Sequence, residues 1–262
     1  MMGDVIMKTF CFTIDDNIRF LKEITERQYT SIFEHPYAAM LKRLHEAFDL
    51  KIQLNLFYRT DMFTLSDMTA AYYSEWEKNA DWLKLSFHSD YENVRPYESS
   101  GYDEVDRDCR AVHREIVRFA SGAALAETTT VHYCLTTADG LQALKDNGVR
   151  GLLGLFGTEA QPQVSYSVSE EEAGKIRSGG IVTKEDMSFA PIDIVLNSYK
   201  TEENLQRLDG LMHREQIWVM IHEQYFYPDY PAYQPEFEEK LHAVFTRLTE
   251  QGYESAFFEE LL

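Results

Sequence analysis

The order of apolar strands and amphipathic helices predicts a single β/α barrel of seven or eight mainly parallel strands spanning residues 1–262. Two further observations point the same way. A chain of 262 residues fits the size at which such barrels fold as one domain. An open doubly wound sheet would usually carry a glycine-rich turn after an early strand, and none follows the first strands here.

The first strand reads Lys8-Thr-Phe-Cys-Phe-Thr-Ile14, β-branched and aromatic, and closes on Asp15-Asp16-Asn17. Ile18, Leu21 and Ile24 then share a helix face, and Pro36 suits the first turn of a helix in which Leu41, Leu44 and Phe48 recur three to four apart. Strand 51–57 follows, then a polar helix over 66–79, then strand 83–87 ending at His88. Val105, Cys109, Val112, Ile116 and Phe119 form one stripe of a helix over 103–120. Strand 128–131 runs into His132, and strand 149–156 follows a helix stopped by Asn147-Gly148. Strands 192–196 and 217–221 complete the series, the latter running into His222. A helix over 235–251, with Phe237, Leu241, Val244 and Leu248 aligned, stops at Gly252 before a short strand at 256–258. Trp76 and Trp82 read as core, and the polar stretch 158–190 reads as an inserted hairpin or lid.

Composition narrows the function classes. A formal charge of −19 and a pI near 4.8 repel phosphate backbones and polyanionic glycans, so nucleic acid is not an expected partner. Cys11, Cys109 and Cys134 are widely spaced in apolar segments, which suits buried free thiols and neither a disulfide framework nor a thiolate metal site. No window approaches the roughly 20 apolar residues of a membrane span, and residues 1–8 lack a basic region followed by a long apolar stretch. A soluble, cytoplasmic protein with no membrane partner is the expectation, and its oligomeric state is open.

In a parallel barrel, the C-terminal strand ends carry the ligand-binding groups. His88, His132 and His222 each follow directly on a strand, and Asp15-Asp16 sits at the same kind of place. A single strand-end histidine is as often a hydrogen-bonded core residue. Three of them with an aspartate pair, on four strands, would be gathered by the barrel at one rim, and imidazole with carboxylate suits Zn²⁺ and related divalent ions. His35, His45, His113, His213 and His242 lie in helical segments and read as surface or packing residues.

Thr13-Ile-Asp-Asp16, Phe87-His-Ser-Asp-Tyr-Glu92, Thr130-Val-His-Tyr133 with Leu141-Gln-Ala-Leu-Lys145, and Val219-Met-Ile-His222 occur in an order that resembles the polysaccharide deacetylase superfamily. That resemblance implies a general-base role for Asp15, metal binding by Asp16 and His88, and a general-acid role for His222. Glu92 stands where the family's second histidine ligand is expected, and His132 is an alternative third ligand that a strand end would fix better than a loop. Tyr133 aligns with a substrate-binding position whose backbone N–H would serve an oxyanion. The arginine that orients the base has no counterpart, and Arg95-Pro-Tyr97 matches it by letters only.

The expected activity is metal-dependent removal of an acetyl group from an N-acetylated carbohydrate or related amide, with Zn²⁺, or else Ni²⁺ or Co²⁺. Tyr225 and Tyr227, in an aromatic loop after His222, and Glu223 are the expected substrate contacts, although the same loop could be pinned by its own packing. Two alternatives stay open: a carbohydrate-binding barrel without turnover, and a metal-independent glycoside hydrolase pairing Asp15 with Glu92 or Glu223.

Overall fold

A computed structural model of the chain describes residues 8–92, 97–157 and 164–262. The described elements are, in order, β1 (Lys8–Asn17), α1 (Arg19–Arg27), α2 (Pro36–Phe48), β2 (Ile52–Arg59), α3 (Tyr73–Lys78), β3 (Leu83–Tyr91), α4 (Tyr102–Ala120), β4 (Thr128–Thr129), α5 (Ala138–Asp146) and β5 (Gly151–Gly154). They continue with α6 (Glu170–Arg177), β6 (Val182–Lys184), β7 (Met187–Pro191), β8 (Ile194–Val195), α7 (Thr201–Leu211), β9 (Gln216–His222), α8 (Phe237–Glu250) and β10 (Tyr253–Ser255).

One sheet runs β3-β2-β1-β9-β8, with β10 added to the start of β1, and the other runs β4-β5-β7-β6. Every pairing between these described strands is parallel except the β6–β7 hairpin. The sheets meet at both edges. On one side Leu85 bridges Leu125 in parallel, and the Ala126 N–H donates to the Leu85 carbonyl at 2.9 Å. On the other, the chain leaving β7 donates from Ile192 to Gly154 at 2.7 Å, then from Asp193 to Trp218 at 2.9 Å, and continues as β8 against β9. The strands therefore follow one another around a ring, as the alternation of elements predicts. β1 is buried along almost its whole length, as a strand covered on both faces must be.

The helices close the outside. Phe245 of α8 lies 5.6 Å from Phe10 and 4.9 Å from Phe12, and Trp76 and Trp82 are core as expected. All three cysteines are free and buried. Gly148 and Gly252 stop their helices with φ of 86° and 79°, a left-handed backbone that favours glycine. Among the described residues, no helix is long and apolar enough to cross a membrane.

Four local expectations are corrected. The 66–79 segment is a short 3-10 turn (Leu65–Asp67) followed by α3 rather than one helix. The last strand is Tyr253–Ser255, upstream of the predicted 256–258. Helices α6 and α7 have weak apolar faces and are absent from the prediction. The insertion does contain a hairpin, β6–β7, but β7 itself belongs to the parallel sheet, and residues 158–163 lie outside the described part.

One helix histidine carries a consequence for stability. His113 is buried on α4 with its ring 3.6 Å from the Cys109 sulfur, and burial pushes its imidazole down to about 4. An unfolded chain takes up that proton near pH 6.5, so the stability held above this value is lost as pH falls toward 4. The loss is bounded at about 3 kcal/mol. Urea denaturation of wild type and His113→Leu, at neutral pH and at the acid end of that window, should show wild type losing more on acidification. Equal losses would mean that His113 takes up its proton as readily in the folded chain.

Candidate metal centre and cleft

Two irregularities in strand pairing build the site. Along β1–β2, Ile14 faces Leu54 and Asn17 faces Leu56, so Asp15 and Asp16 together stand opposite Asn55. Along β2–β3, Leu56 faces Phe87 and Phe57 faces Ser89, which leaves His88 as the extra residue. A bulge interrupts the in-and-out alternation and re-aims the side chain it carries. Asp16 completes its bulge with a left-handed φ of 63°, a backbone state that Asp tolerates better than most residues. Asp15 stays in register with His222 of β9, and the chain leaving β4 delivers His132.

Asp16, His88 and His132 converge. Asp16 Oδ1 is 3.0 Å from His88 Nε2 and 3.5 Å from His132 Nδ1, and the two imidazole nitrogens are 3.1 Å apart. Among the described residues this is the group of acidic, cysteine and histidine side chains arranged to hold a metal ion. Four ligands about 2.0–2.1 Å from a tetrahedral ion stand about 3.3–3.4 Å from one another, close to these separations. Asp16 Oδ1 is buried and has no hydrogen-bond partner despite its short approach to His88.

The second nitrogens of both rings settle where the protons sit. His88 Nδ1 faces the Thr130 carbonyl, and His132 Nε2 faces the Glu92 carbonyl at 2.7 Å. A carbonyl only accepts, so these nitrogens carry protons, and in the neutral form of both rings His88 Nε2 and His132 Nδ1 turn lone pairs toward each other and toward Asp16. Such backbone partners are the usual means of orienting a metal-ligating imidazole. Burial and the neighbouring His88 push the His132 imidazole down to about 4. Burial opposes charge on His88 too, but Asp15 and Asp16 outweigh it and raise its value. Asp16 resists the upward push of burial because His222 and His88 hold its carboxyl well below the usual carboxylate range.

The catalytic candidates sit beside this group. Asp15 Oδ1 accepts from Asn55 Nδ2 at 2.6 Å, Asn55 Oδ1 accepts from Gln53 Nε2 at 2.8 Å, and Gln53 Nε2 also reaches the Thr128 carbonyl at 2.8 Å. Burial pushes the Asp15 carboxyl upward, opposed chiefly by the charges of His88 and His222. His222 Nδ1 lies 2.8 Å from Asn197 Oδ1, which also accepts the His222 backbone N–H at 3.2 Å. The backbone N–H can only donate, which identifies that atom as the amide oxygen, so His222 is protonated at Nδ1 and its Nε2 faces Asp16 Oδ2 at 4.0 Å.

Several expected contacts fall elsewhere. Glu92 is not in the metal-holding group; its carboxylate accepts from Gln224 Nε2 at 3.3 Å, while the same amide donates to Asp16 Oδ2 at 2.7 Å. The Glu223 carboxylate is engaged at the start of α1. Fully buried, it accepts from the backbone N–H groups of Ile18, Arg19 and Phe20 at 2.8, 3.1 and 2.8 Å and from the Tyr227 hydroxyl at 2.9 Å, although burial pushes it up to about 7. Tyr227 is likewise buried. Tyr225 packs edge-on against Tyr230 at 5.2 Å, and Tyr230 is the aromatic of that loop that lines the cleft. Tyr133 is half-exposed, has a left-handed φ of 61°, and lies with its ring 4.2 Å from that of His132. Arg95 and Pro96 lie outside the described residues.

Asn55, Asn197 and Gln224 are the site residues that the sequence reading missed. The alternation of Gln53 and Asn55 with Ile52, Leu54 and Leu56 is the one available signal, since polar side chains at alternate positions of a barrel strand point into the interior. A cavity of about 700 Å³ holds Asp15, Asp16, His88, His132, Tyr133 and His222 on its walls. A second, of about 550 Å³, shares Asp16, Glu92, Gln224 and Tyr230 with it and extends along α1. Each is the size of a small-ligand pocket.

No family model and no curated protein matches this chain. Solved structures do match it. A 4-alpha-glucanotransferase from Thermococcus litoralis aligns over 97% of this chain with a TM-score of 0.63 and 13% identity. The chain spans 40% of that protein's length. A family 4 acetyl xylan esterase from Clostridium thermocellum, solved in complex with a cobalt ion, aligns over 97% of this chain and 90% of its own, with a TM-score of 0.53 and 12% identity. At these identities the likeness concerns fold. The molecule thus belongs to the class of mainly parallel α/β proteins with a possible metal site at the strand ends. Its particular fold is the one it shares with that glucanotransferase and that acetyl xylan esterase.

Proposed function

We propose that this chain is a metal-dependent hydrolase that removes an acetyl group from an N-acetylated carbohydrate or a related amide. The observation that carries the reading is the meeting of two imidazole lone pairs and one carboxylate oxygen within 3.0–3.5 Å, each ring fixed from behind by a backbone carbonyl. A cation inside this cluster would be met by all three donors at once.

Asp16, His88 and His132 would hold the ion, with Zn²⁺ favoured by the mixed imidazole and carboxylate set. A divalent ion held there would supply Lewis acidity to a carbonyl and would lower the pKa of a nearby water toward ~7. Asp15, oriented by Asn55, takes a proton from that water as its oxygen bonds to the acyl carbon. His222 then gives a proton from Nε2 to the nitrogen as the C–N bond breaks, leaving acetate and a free amine. In its neutral form His222 faces the cleft with a lone pair, so it must be protonated before this step. Tyr133 and Tyr230 line the cavity in which a sugar ring would stack.

Metal analysis of the purified protein and acetate release from a panel of chito-oligosaccharides and acetylated amines test the reading together. The expected result is one divalent ion per chain, EDTA-sensitive acetate release, and a fall in kcat of about 10²–10⁴ in Asp15→Asn. Bound metal with glycan binding but no acetate would favour the second reading, a binding barrel, which draws on the neutral amide at Asp15. Release of reducing sugar in EDTA would overturn both.

A further inference from the structure

Lys240 of α8 has none of its surface exposed, and all three of its acceptors are neutral oxygens. Its ammonium reaches the carbonyls of Leu196 at 3.3 Å and Tyr199 at 2.9 Å, and it donates to Gln234 Oε1. Among the described residues no carboxylate forms an ion pair with this ammonium, Glu236 acting on it only from farther off. Taking it out of water is therefore costly, and packing alone would be served by an apolar side chain of similar length. The three acceptors have one thing in common: they frame Asn197. Leu196 precedes it and Tyr199 follows two residues later, the amide of Gln234 donates to the Asn197 carbonyl at 2.7 Å, and Asn204 of α7 adds hydrogen bonds to Leu196 at 2.9 Å and Tyr199 at 3.3 Å. Asn197 in turn is the residue whose side-chain oxygen takes both His222 donors.

We infer that Lys240 is a positioning residue, whose buried ammonium gathers the 196–199 loop so that Asn197 holds His222 with Nε2 turned to the cleft. Without that charge, the carbonyls of Leu196 and Tyr199 keep only the Asn204 amide as a shared donor and the tie to Gln234 is lost, so the loop relaxes and the imidazole is free to change tautomer or turn. The consequence for turnover rests on the hydrolase reading, whereas the hold on His222 does not. A loss of alignment at a proton donor falls on kcat more than on KM, because it acts when the C–N bond breaks.

The test uses the full-length chain labelled with ¹⁵N-histidine. At mildly alkaline pH, wild type should show His222 protonated at Nδ1, and Lys240→Met should shift it to the Nε2-protonated or averaged form. The same variant should lose at least about tenfold in kcat, with KM changed by no more than about threefold. An unaltered His222 signal in Lys240→Met overturns the inference whether or not the protein turns over. A shifted signal in a chain whose wild type releases no acetate supports the positioning and counts against the hydrolase reading alone. If Lys240→Met fails to fold, Lys240→Ala refolded with propylammonium or with propanol decides the matter. Recovery of the wild-type tautomer with the ammonium only supports the inference, and equal recovery with both, or none with either, overturns it.

Discussion

His88→Ala is expected to abolish stoichiometric metal binding and with it the stabilisation that a bound ion confers. An ion present at a hundred times its dissociation constant adds about 2.7 kcal/mol to a protein that binds it only when folded. Wild type should therefore melt higher in the presence of Zn²⁺ than in EDTA, and His88→Ala should melt at one temperature in both. The effect should be large because His88 is the centre of the cluster: it touches Asp16 and His132 directly, and its other nitrogen is fixed on the Thr130 carbonyl. Loss even of partners behind a ligand costs 10–100-fold in affinity, so loss of the ligand itself should cost at least about a hundredfold. Glu92→Ala is the control, since its carboxylate is outside the cluster. Titration with Zn²⁺ followed by calorimetry separates the two variants, and equal weakening in both would remove the assignment of His132 over Glu92.

The legible part of this site was the part that strand order dictates. Asp15-Asp16, His88, His132 and His222 each follow an apolar run, and a parallel ring brings strand ends to one rim whatever the loops do. What was illegible depends on single-residue shifts in register. Nothing in the letters of Phe87-His88-Ser89 marks His88 as the extra residue of a bulge, yet the bulge decides that its ring meets Asp16. Glu223 was misplaced for a related reason. It adjoins His222, and adjacency suggested a shared cleft, but β9 ends at His222 and Glu223 opens the 3-10 turn Glu223–Phe226, which carries its carboxylate toward the start of α1. The neutral partners Asn55 and Asn197 were hidden because the family resemblance directs attention to charged ones. β10 and α7 went astray because one is three residues long and the other has little apolar face to read.

The misplaced glutamate supports the prediction with the largest expected effect on stability. Helix α1 has no side-chain cap of its own, for Ile18 occupies its N-cap position with φ −163°. The carboxylate of Glu223 takes its place from the far side of the sequence. Oε2 accepts from Ile18 and Arg19, and Oε1 accepts from Phe20 and from Tyr227. Glu223→Ala removes four acceptor contacts from a buried place, and each orphaned donor costs about 1–3 kcal/mol before relaxation, so a loss of about 3–5 kcal/mol is expected in urea denaturation. Glu223→Gln keeps one acceptor oxygen for two of the donors, and the Tyr227 hydroxyl can rotate to accept from the new amide. Only the Phe20 N–H is then left unpaired, which places this variant nearer about 1–2 kcal/mol. The same geometry ties stability to the site. Asp15 and Asp16 lead directly into α1, and His222 leads directly into Glu223, so the carboxylate clamps the β1 exit to the β9 exit. Loosening it should weaken Zn²⁺ binding as well as the fold, although Glu223 touches no ligand of the ion. A Glu223→Ala chain as stable as wild type, within about 0.5 kcal/mol, would show that α1 finds other acceptors and that the two exits are held apart from this carboxylate.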